Sequence, residues 1–250
     1  MTNAVLLSAG QGRRLSPLTD HRPKCLVEVA GRPILAWQLQ ALAHAGVAEA
    51  TVVTGFGASA VETALAVMAP PIAVGTRHNP FFAVADNIGS CWVARGLFGA
   101  DTLLINGDTL FDPRIVTAVL AGAHAPITVT IDGKGSFDAD DMKVRLHGPG
   151  PHPGPGGGRL ARIGKDLQDP VHGESIGLLR FAGTGGAHFA AALDEAMRDP
   201  AALSRWYLSV IDALAAAGGV GTVSIAGLPW AEVDFPRDLA IAAARVAEFD

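Results

Sequence analysis

The sequence predicts an α/β protein: a mostly parallel, mixed sheet between two helical layers, with a small β-rich extension. Three observations predict it. Short aliphatic or β-branched runs alternate with Ala-rich stretches of helical period from residue 3 to residue 122. Those runs are apolar at consecutive positions, the pattern of strands covered on both faces. Beyond about Pro126 the helices thin out, and four strand-like runs follow one another closely.

The elements follow in order. "NAVLLSA" (3–9) reads as a buried strand, and "PILAWQLQALAHAG" (33–46) as a helix with Pro33 near its start and Gly46 at its end. "ATVVTG" (50–55) is the next strand, "ASAVETALAVMA" (58–69) the next helix, and "PIAVGT" (71–76) a third strand. "NIGSCWVARGLF" (87–98) is a helix, "DTLLING" (101–107) a strand and "PRIVTAVLAG" (113–122) a helix. "PITVTID" (126–132), "DMKVRLH" (141–147), "RLARIG" (159–164) and "ESIGLLRF" (174–181) read as a mixed or antiparallel extension of the same sheet. Helices are expected near 185–198 and 204–217, strands near 220–225 and 230–234, and a last helix from Pro236. Between Gly148 and Gly158 every residue except His152 is Gly or Pro, which suits a hairpin tip and neither a helix nor a central strand. No internal repeat is present. The chain length suits one domain, 1–250, whose pattern changes between 1–125 and 126–250.

Hydrophobic residues make up 49% and charged residues 17%, so the chain is globular and not disordered. A net charge of −5 without a long basic run argues against a protein that coats nucleic acid. Locally the balance reverses. Residues 1–32 carry five basic side chains (Arg13, Arg14, Arg22, Lys24, Arg32) against two acidic ones (Asp20, Glu28), which suggests a small anionic ligand. Cys25 and Cys91 sit in no CxxC or zinc spacing, so a reduced, cytoplasmic compartment is expected. No apolar run reaches the length of a membrane span, and no signal peptide or membrane partner is expected.

The stretch "LLSAGQGRRLSPLTDHRPKCL" (6–26) concentrates glycines and cations just after the first strand. A strand that runs into a Gly-rich turn leaves backbone N–H groups that can converge on an anion. Gly10 and Gly12 remove side chains that would keep a phosphate from the backbone, and Arg14 and Lys24 add charge. The turn is not a dinucleotide fingerprint, because Leu15 stands where a third Gly would fall. Nor is it a P-loop, since no GK[ST] follows.

The longer string resembles the signature of the nucleotidyltransferase superfamily that includes the sugar-phosphate nucleotidyltransferases, roughly L-A-A-G-x-G-x-R-L-x-P-L-T followed by P-K-x-L. Ala9, Gly10, Gly12, Arg14, Leu15, Pro17, Leu18, Thr19, Pro23, Lys24 and Leu26 all match, with Ser8 in place of the commoner Ala. The resemblance implies a Rossmann-like three-layer nucleotidyltransferase fold of the GT-A type. It implies that Leu7, Ser8, Ala9, Gly10, Gly12, Arg13 and Arg14 wrap a nucleoside triphosphate, with Lys24 nearest the reacting α-phosphorus. It also assigns Mg²⁺ to Asp108, after Gly107 at a strand end, and to Asp234 in a "xVDxPxDL" pattern. Each aspartate read singly is a turn or cap residue. Asp238 belongs to the first turn of the last helix.

The implied reaction needs no general base. An ionised phosphate or phosphonate acceptor attacks the α-phosphorus in line, and the protein supplies cations and positioning against the repulsion of two anions. "RHNPFFAVADNIGSCWVARGLF" (77–98) is similar to the matching segment of phosphocholine, phosphonate and inositol-phosphate cytidylyltransferases. Asn87 and Ser90 carry that likeness, and CTP is the implied nucleotide. Asn87 can read a pyrimidine edge or cap the helix. Lys165 stands where the superfamily has a lysine for the acceptor phosphate, and Glu174 and Ser175 where acceptor contacts lie. Trp230 and Glu232 precede the second metal aspartate and can face the acceptor. Trp37 and Trp92 fall on helix patterns and are expected in the core. Asp138, Asp140 and Asp141 form a solvated loop or meet a cationic amine. His147, His152 and His172 are expected to be solvated. The expected activity is CMP transfer from CTP to a phosphorylated or phosphonate small alcohol or amine. Sugar-1-phosphate transfer from UTP, dTTP or GTP is the alternative, and a homo-oligomer stays open.

Overall fold

The computed structural model describes residues 2–122, 124–148, 157–225 and 227–249. Most of the Gly/Pro-rich segment 148–158 therefore lies outside the described residues. In chain order the elements are β1 (Asn3–Ser8), the two-residue strands β2 (Glu28–Val29) and β3 (Arg32–Pro33), α1 (Ile34–His44), β4 (Glu49–Thr54), α2 (Ala58–Met68), β5 (Ala73–His78), α3 (Asn87–Ala94), β6 (Asp101–Asn106), β7 (Thr109–Phe111), α4 (Pro113–Gly122), β8 (Ile127–Asp132), β9 (Lys143–Leu146), β10 (Leu160–Gly164), β11 (Gly173–Ala182), α5 (Gly185–Ala196), α6 (Leu208–Ala216), β12 (Val220–Ser224), β13 (Trp230–Glu232) and α7 (Asp238–Val246).

The alternation of side chains along β1 builds the three layers. Val5 and Leu7 enter one core with Ile88 and Cys91 of α3, Phe189 of α5 and Ile211 of α6. Ala4 and Leu6 enter the opposite core with Leu35 and Leu39 of α1, Val61 of α2 and Ile115 of α4. A third cluster joins Leu15, Val27 and Ile34 to Leu110, Val233 and Ala242, and so anchors the loop after β1 to α7.

β1 pairs in parallel with β4 and β6, and β5 continues the parallel run beyond β4. β11 then pairs antiparallel with β6, β8 and β9, which joins the β-rich extension to the same nine-stranded sheet. Its register shifts between Ser175 and Leu179. Gly177 lies in that interval at φ +73, and a Cβ there would fall 2.5 Å from Asn106 Nδ2. A bulge at this point re-aims Glu174 and Ser175 relative to the parallel half.

Several boundaries differ from the sequence pattern. β5 starts at Ala73, because Pro70 and Pro71 cannot donate to the ladder. The helix expected over 204–217 starts at Leu208 as α6, after a 3₁₀ turn (Pro200–Ser204). The last helix begins at Asp238 rather than Pro236. β7, which the sequence pattern does not announce, pairs antiparallel with β13. Trp37 and Trp92 are half-buried at the core margins, each with an arginine over its ring at 4.4 Å (Arg32) and 4.1 Å (Arg95).

Candidate active site

Parallel β1 and β6 end side by side at Ser8 and Asn106, and the loops that leave them line a cavity of about 890 Å³. This is where open α/β sheets hold ligands. The loop after β1 is fixed before any ligand arrives. Ala9 O accepts from Phe56 N at 2.9 Å, and Gly12 O accepts from Leu15 N at 2.9 Å and from the Thr19 hydroxyl at 2.8 Å. Gly12 has φ +75, and a Cβ there would fall 2.9 Å from Lys24 Cβ. The second glycine of the motif is thus required both by the turn and by the lysine packed against it.

Lys24 is the centre of the site. Its ammonium donates to Asp108 Oδ2 at 2.7 Å and to Asp234 Oδ1 at 2.5 Å, and its side chain is 13% exposed. Burial lowers its pKa, but the Asp108 and Asp234 charges outweigh that, and the net shift is upward. Arg14 Nη2 lies 2.7 Å from Asp234 Oδ2. Asp238 Oδ2 accepts from the backbone N–H of both Asp234 and Phe235, which fixes the turn that carries Asp234. On the other side, Gly107 lets the turn after β6 pass against β1: a Cβ there would fall 2.4 Å from Leu7 O. Gln38 Nε2 donates to Asn106 O at 2.7 Å and to Thr109 O at 2.9 Å, and so holds both flanks of Gly107–Asp108.

The carboxylates fit a hard cation. One oxygen each from Asp108, Glu232 and Asp234 lie within 4.8 Å of one another. Asp108 Oδ1 is buried and has no hydrogen-bond partner among the described residues. An all-oxygen donor set with a spare buried lone pair suits Mg²⁺. Glu232 is exposed at the cavity surface, where crowding of its carboxyl by the surrounding protein and the charges of Asp108 and Asp234 push its pKa up to about 8.

Leu7, Ser8, Ala9, Gly10, Gly12, Arg14, Lys24, Asn87, Ser90, Gly107, Asp108, Lys165, Glu174, Ser175, Trp230, Glu232 and Asp234 all line this one cavity. Arg13 does not. It is exposed on a 3₁₀ turn (Arg13–Leu15), where successive side chains diverge by about a third of a turn, so Arg14 faces the cavity and Arg13 solvent. Asn87 does not cap the helix. Asp86 caps α3, and Asn87 Oδ1 instead accepts from Tyr207 N at 2.9 Å. Ser90 Oγ accepts from Asn79 Nδ2 at 3.0 Å.

The far end of the cavity holds groups the sequence pattern did not single out. Lys134 Nζ lies 2.8 Å from Asp141 and 2.9 Å from Glu174, so Asp141 belongs to an ion-pair network and not to a freely solvated loop. Burial pushes the Glu174 carboxyl up to about 7, against the downward pull of Lys134. Lys165 Nζ lies 4.7 Å over the Trp206 ring and 3.5 Å from Asp140. Trp230, by contrast, donates its indole N–H to Asp132 Oδ2 at 2.8 Å. His172 is half-buried, and its Nδ1 accepts from Leu146 N at 2.9 Å, whereas His147 is exposed and His152 lies outside the described residues.

Residues 4–226 match the MobA-like NTP transferase domain, and the chain belongs to that family. It is 32% identical over 236 residues, 94% of its length, to CMP-5'-(3-aminopropyl)phosphonate synthase of Streptomyces rubellomurinus, and covers 37% of that protein. It is 27% identical over 205 residues to 2-aminoethylphosphonate cytidylyltransferase of Lancefieldella rimae, covering 79% of this chain and 74% of the relative. The chain spans between 29% and 54% of the length of several curated relatives it matches. The solved inositol-1-phosphate CTP transferase of T. maritima superposes with a TM-score of 0.78 at 18% identity, over 98% of this chain and 95% of that one, a likeness of fold. Among the described residues no helix is long and apolar enough to cross a membrane.

Proposed function

We propose that the chain transfers CMP from CTP to a phosphonate- or phosphate-bearing small molecule and releases pyrophosphate. The observation that carries this reading is the convergence of Lys24, Arg14, Asp108 and Asp234 at the carboxyl ends of two adjacent parallel strands. Two relatives, named for a CMP–phosphonate product and for cytidylyl transfer to a phosphonate, support the choice of nucleotide and acceptor.

In this reading residues 1–125 hold the nucleotide and residues 126–250 hold the acceptor and complete the metal site. The amides of Leu7 to Gly12 and the Arg14 guanidinium bind the triphosphate, and Asn87 and Ser90 face the base. Asp108 and Asp234 hold Mg²⁺, with Glu232 beside them. The bound ion supplies charge neutralisation to the phosphates. Lys24, kept charged by its two aspartates, turns to the α-phosphoryl group and stabilises the negative charge that builds there. Lys165, held over Trp206, orients the acceptor oxyanion in line with the bond to the leaving β-phosphate. The acceptor oxygen forms the new P–O bond as the α–β bond breaks, and no proton has to move. Lys134, Glu174 and Ser175 contact the rest of the acceptor.

The test is pyrophosphate release with CTP, UTP, dTTP and GTP against a panel of phosphonates, phosphorylated alcohols and sugar 1-phosphates. CTP with a phosphonate or phosphoalcohol is the expected pair. Preference for a sugar 1-phosphate with another triphosphate would replace the cytidylyl reading. Absence of Mg²⁺-dependent affinity for every triphosphate would overturn the site itself.

A further inference from the structure

Of the three cations the sequence signature assigns to the triphosphate, Arg14 and Lys24 line the cavity and Arg13 does not. The cavity wall carries a third that the signature does not mention. Arg237 follows Asp234 by three residues, and its guanidinium carbon lies 4.6 Å from the centre of the Phe235 ring. The Arg14 guanidinium carbon lies 5.0 Å from the same ring. One aromatic side chain therefore seats both guanidiniums, and the Asp238 clamp on the Phe235 N–H at 2.7 Å fixes the turn beneath them. Cation–π contact of this kind orients a guanidinium while leaving its N–H donors free.

Among the described residues Arg237 has no closer ion-pair partner than Asp238. Arg14 is tied to Asp234 at 2.7 Å, and Arg245, also on the cavity wall, pairs with Glu248 at 3.3 Å. The carboxylate that pairs with Arg237 is that of Asp238 at 3.7 Å, and the Arg237 side chain is 77% exposed. Arg237 also stands at the N-cap of α7, where the helix dipole disfavours a cation, so it does not serve the helix. It is a weakly paired guanidinium set against the Phe235 ring on the cavity wall.

We infer that Arg237 binds the β,γ end of the nucleoside triphosphate and the departing pyrophosphate. The inference rests on the proposed function, which sets the α-phosphorus at Lys24 and runs the outer phosphates past Arg14. The Phe235 ring then brings a second guanidinium to that outer end. Arg237 grips the phosphates that leave, not the nucleotide monophosphate that is transferred.

The test compares wild type, Arg237→Ala and Arg237→Lys by calorimetric titration with two probes in the presence of Mg²⁺: inorganic pyrophosphate and CMP. Losing one exposed charge-assisted contact should weaken pyrophosphate binding about tenfold and raise the KM for CTP by a similar factor. CMP affinity and the KM for the acceptor should not change. Arg237→Lys should recover part of the loss, since it keeps the charge but not the planar fork. If Arg237→Ala binds pyrophosphate as wild type does, or loses CMP and pyrophosphate affinity equally, the assignment is wrong. If wild type binds no pyrophosphate and no triphosphate, the reading of the whole site fails instead.

Discussion

Replacing Lys24 by Met probes the ammonium that ties the two halves of the site together. Its Nζ lies 2.7 Å from Asp108 and 2.5 Å from Asp234. Without it, Asp108, Glu232 and Asp234 face one another with oxygens within 4.8 Å. Two unit charges at that separation repel by about 3 kcal/mol at an effective dielectric constant of about 20. A divalent cation relieves that repulsion, so the variant should bind free Mn²⁺ more tightly than wild type in the absence of nucleotide, by roughly tenfold or more. Turnover should move the other way. Removing one positioned donor from developing charge costs about 10²–10³ in kcat. Manganese titration by electron paramagnetic resonance reads the first effect, steady-state pyrophosphate release the second, and thermal melting shows that the fold survives. Equal manganese affinity in variant and wild type would refute the idea that Lys24 is the internal counterion of the carboxylates. Turnover within about threefold of wild type would remove it from the chemistry.

Three further outcomes follow from other parts of the site. Asp108→Asn and Asp234→Asn should each raise the Mg²⁺ concentration needed for half-maximal activity, and an unshifted metal titration in both would dissolve the shared site. Gly107→Ala puts a Cβ 2.4 Å from Leu7 O, a backbone atom that cannot turn aside, so it should cost about 1–3 kcal/mol and lower Tm by roughly 2–10 °C; an unchanged Tm contradicts the close approach of β6 to β1. Glu174 gives a pH signature. Burial raises its pKa from the ordinary 4.5 to about 7 in the folded protein, so the fold holds this proton more tightly than the unfolded chain does. Its contribution to stability is complete below about pH 4.5 and is lost as pH rises to about 7, about 3 kcal/mol in all. Glu174→Gln removes that slope, and its Tm should gain on wild type between pH 5 and pH 8; a constant Tm difference across that range would show that the carboxyl is not held neutral by burial.

Most of the sheet and much of the site were legible from the sequence because they rest on local chemistry. The parallel strands announce themselves as unbroken apolar runs, and each is read without reference to its partners. The loop after β1 was legible for the same reason: Gly12, Arg14 and Lys24 lie within a short stretch whose spacing is set by one turn. β7 was missed because Thr109–Phe111 directly follows the Gly107–Asp108 turn and is three residues long, too short to show a period. Arg13 was misjudged because a sequence gives two adjacent arginines equal standing. The direction of a 3₁₀ turn, which sends one to the cavity and the other to water, is set by the burial of Leu15 beside them.

What the sequence hid were the residues that position others across long separations. Gln38 on α1 holds the backbone on either side of Gly107–Asp108 some seventy residues away, and Tyr207 joins the start of α3 to the end of β6 through Asn87 and Asn106. Neither has a local signature, since a buried glutamine inside a helix reads as a surface residue until the sheet is packed against it. Lys134 is hidden in a different way. "DGKGSFDADD" reads as a solvated acidic loop, and only the fold of β8 and β11 brings Glu174 to within 2.9 Å of the lysine. The loop after β1 is thus built from contiguous sequence, whereas Asp108, Asp234 and Glu174 are brought to the cavity by long-range contacts. The loop built from one short motif tolerates little change, because Gly12 and Lys24 constrain each other directly. The end that carries Lys134, Glu174 and Trp206 can change them one at a time without disturbing the turn after β1, so in the proposed function acceptor choice varies independently of the loop that holds the triphosphate.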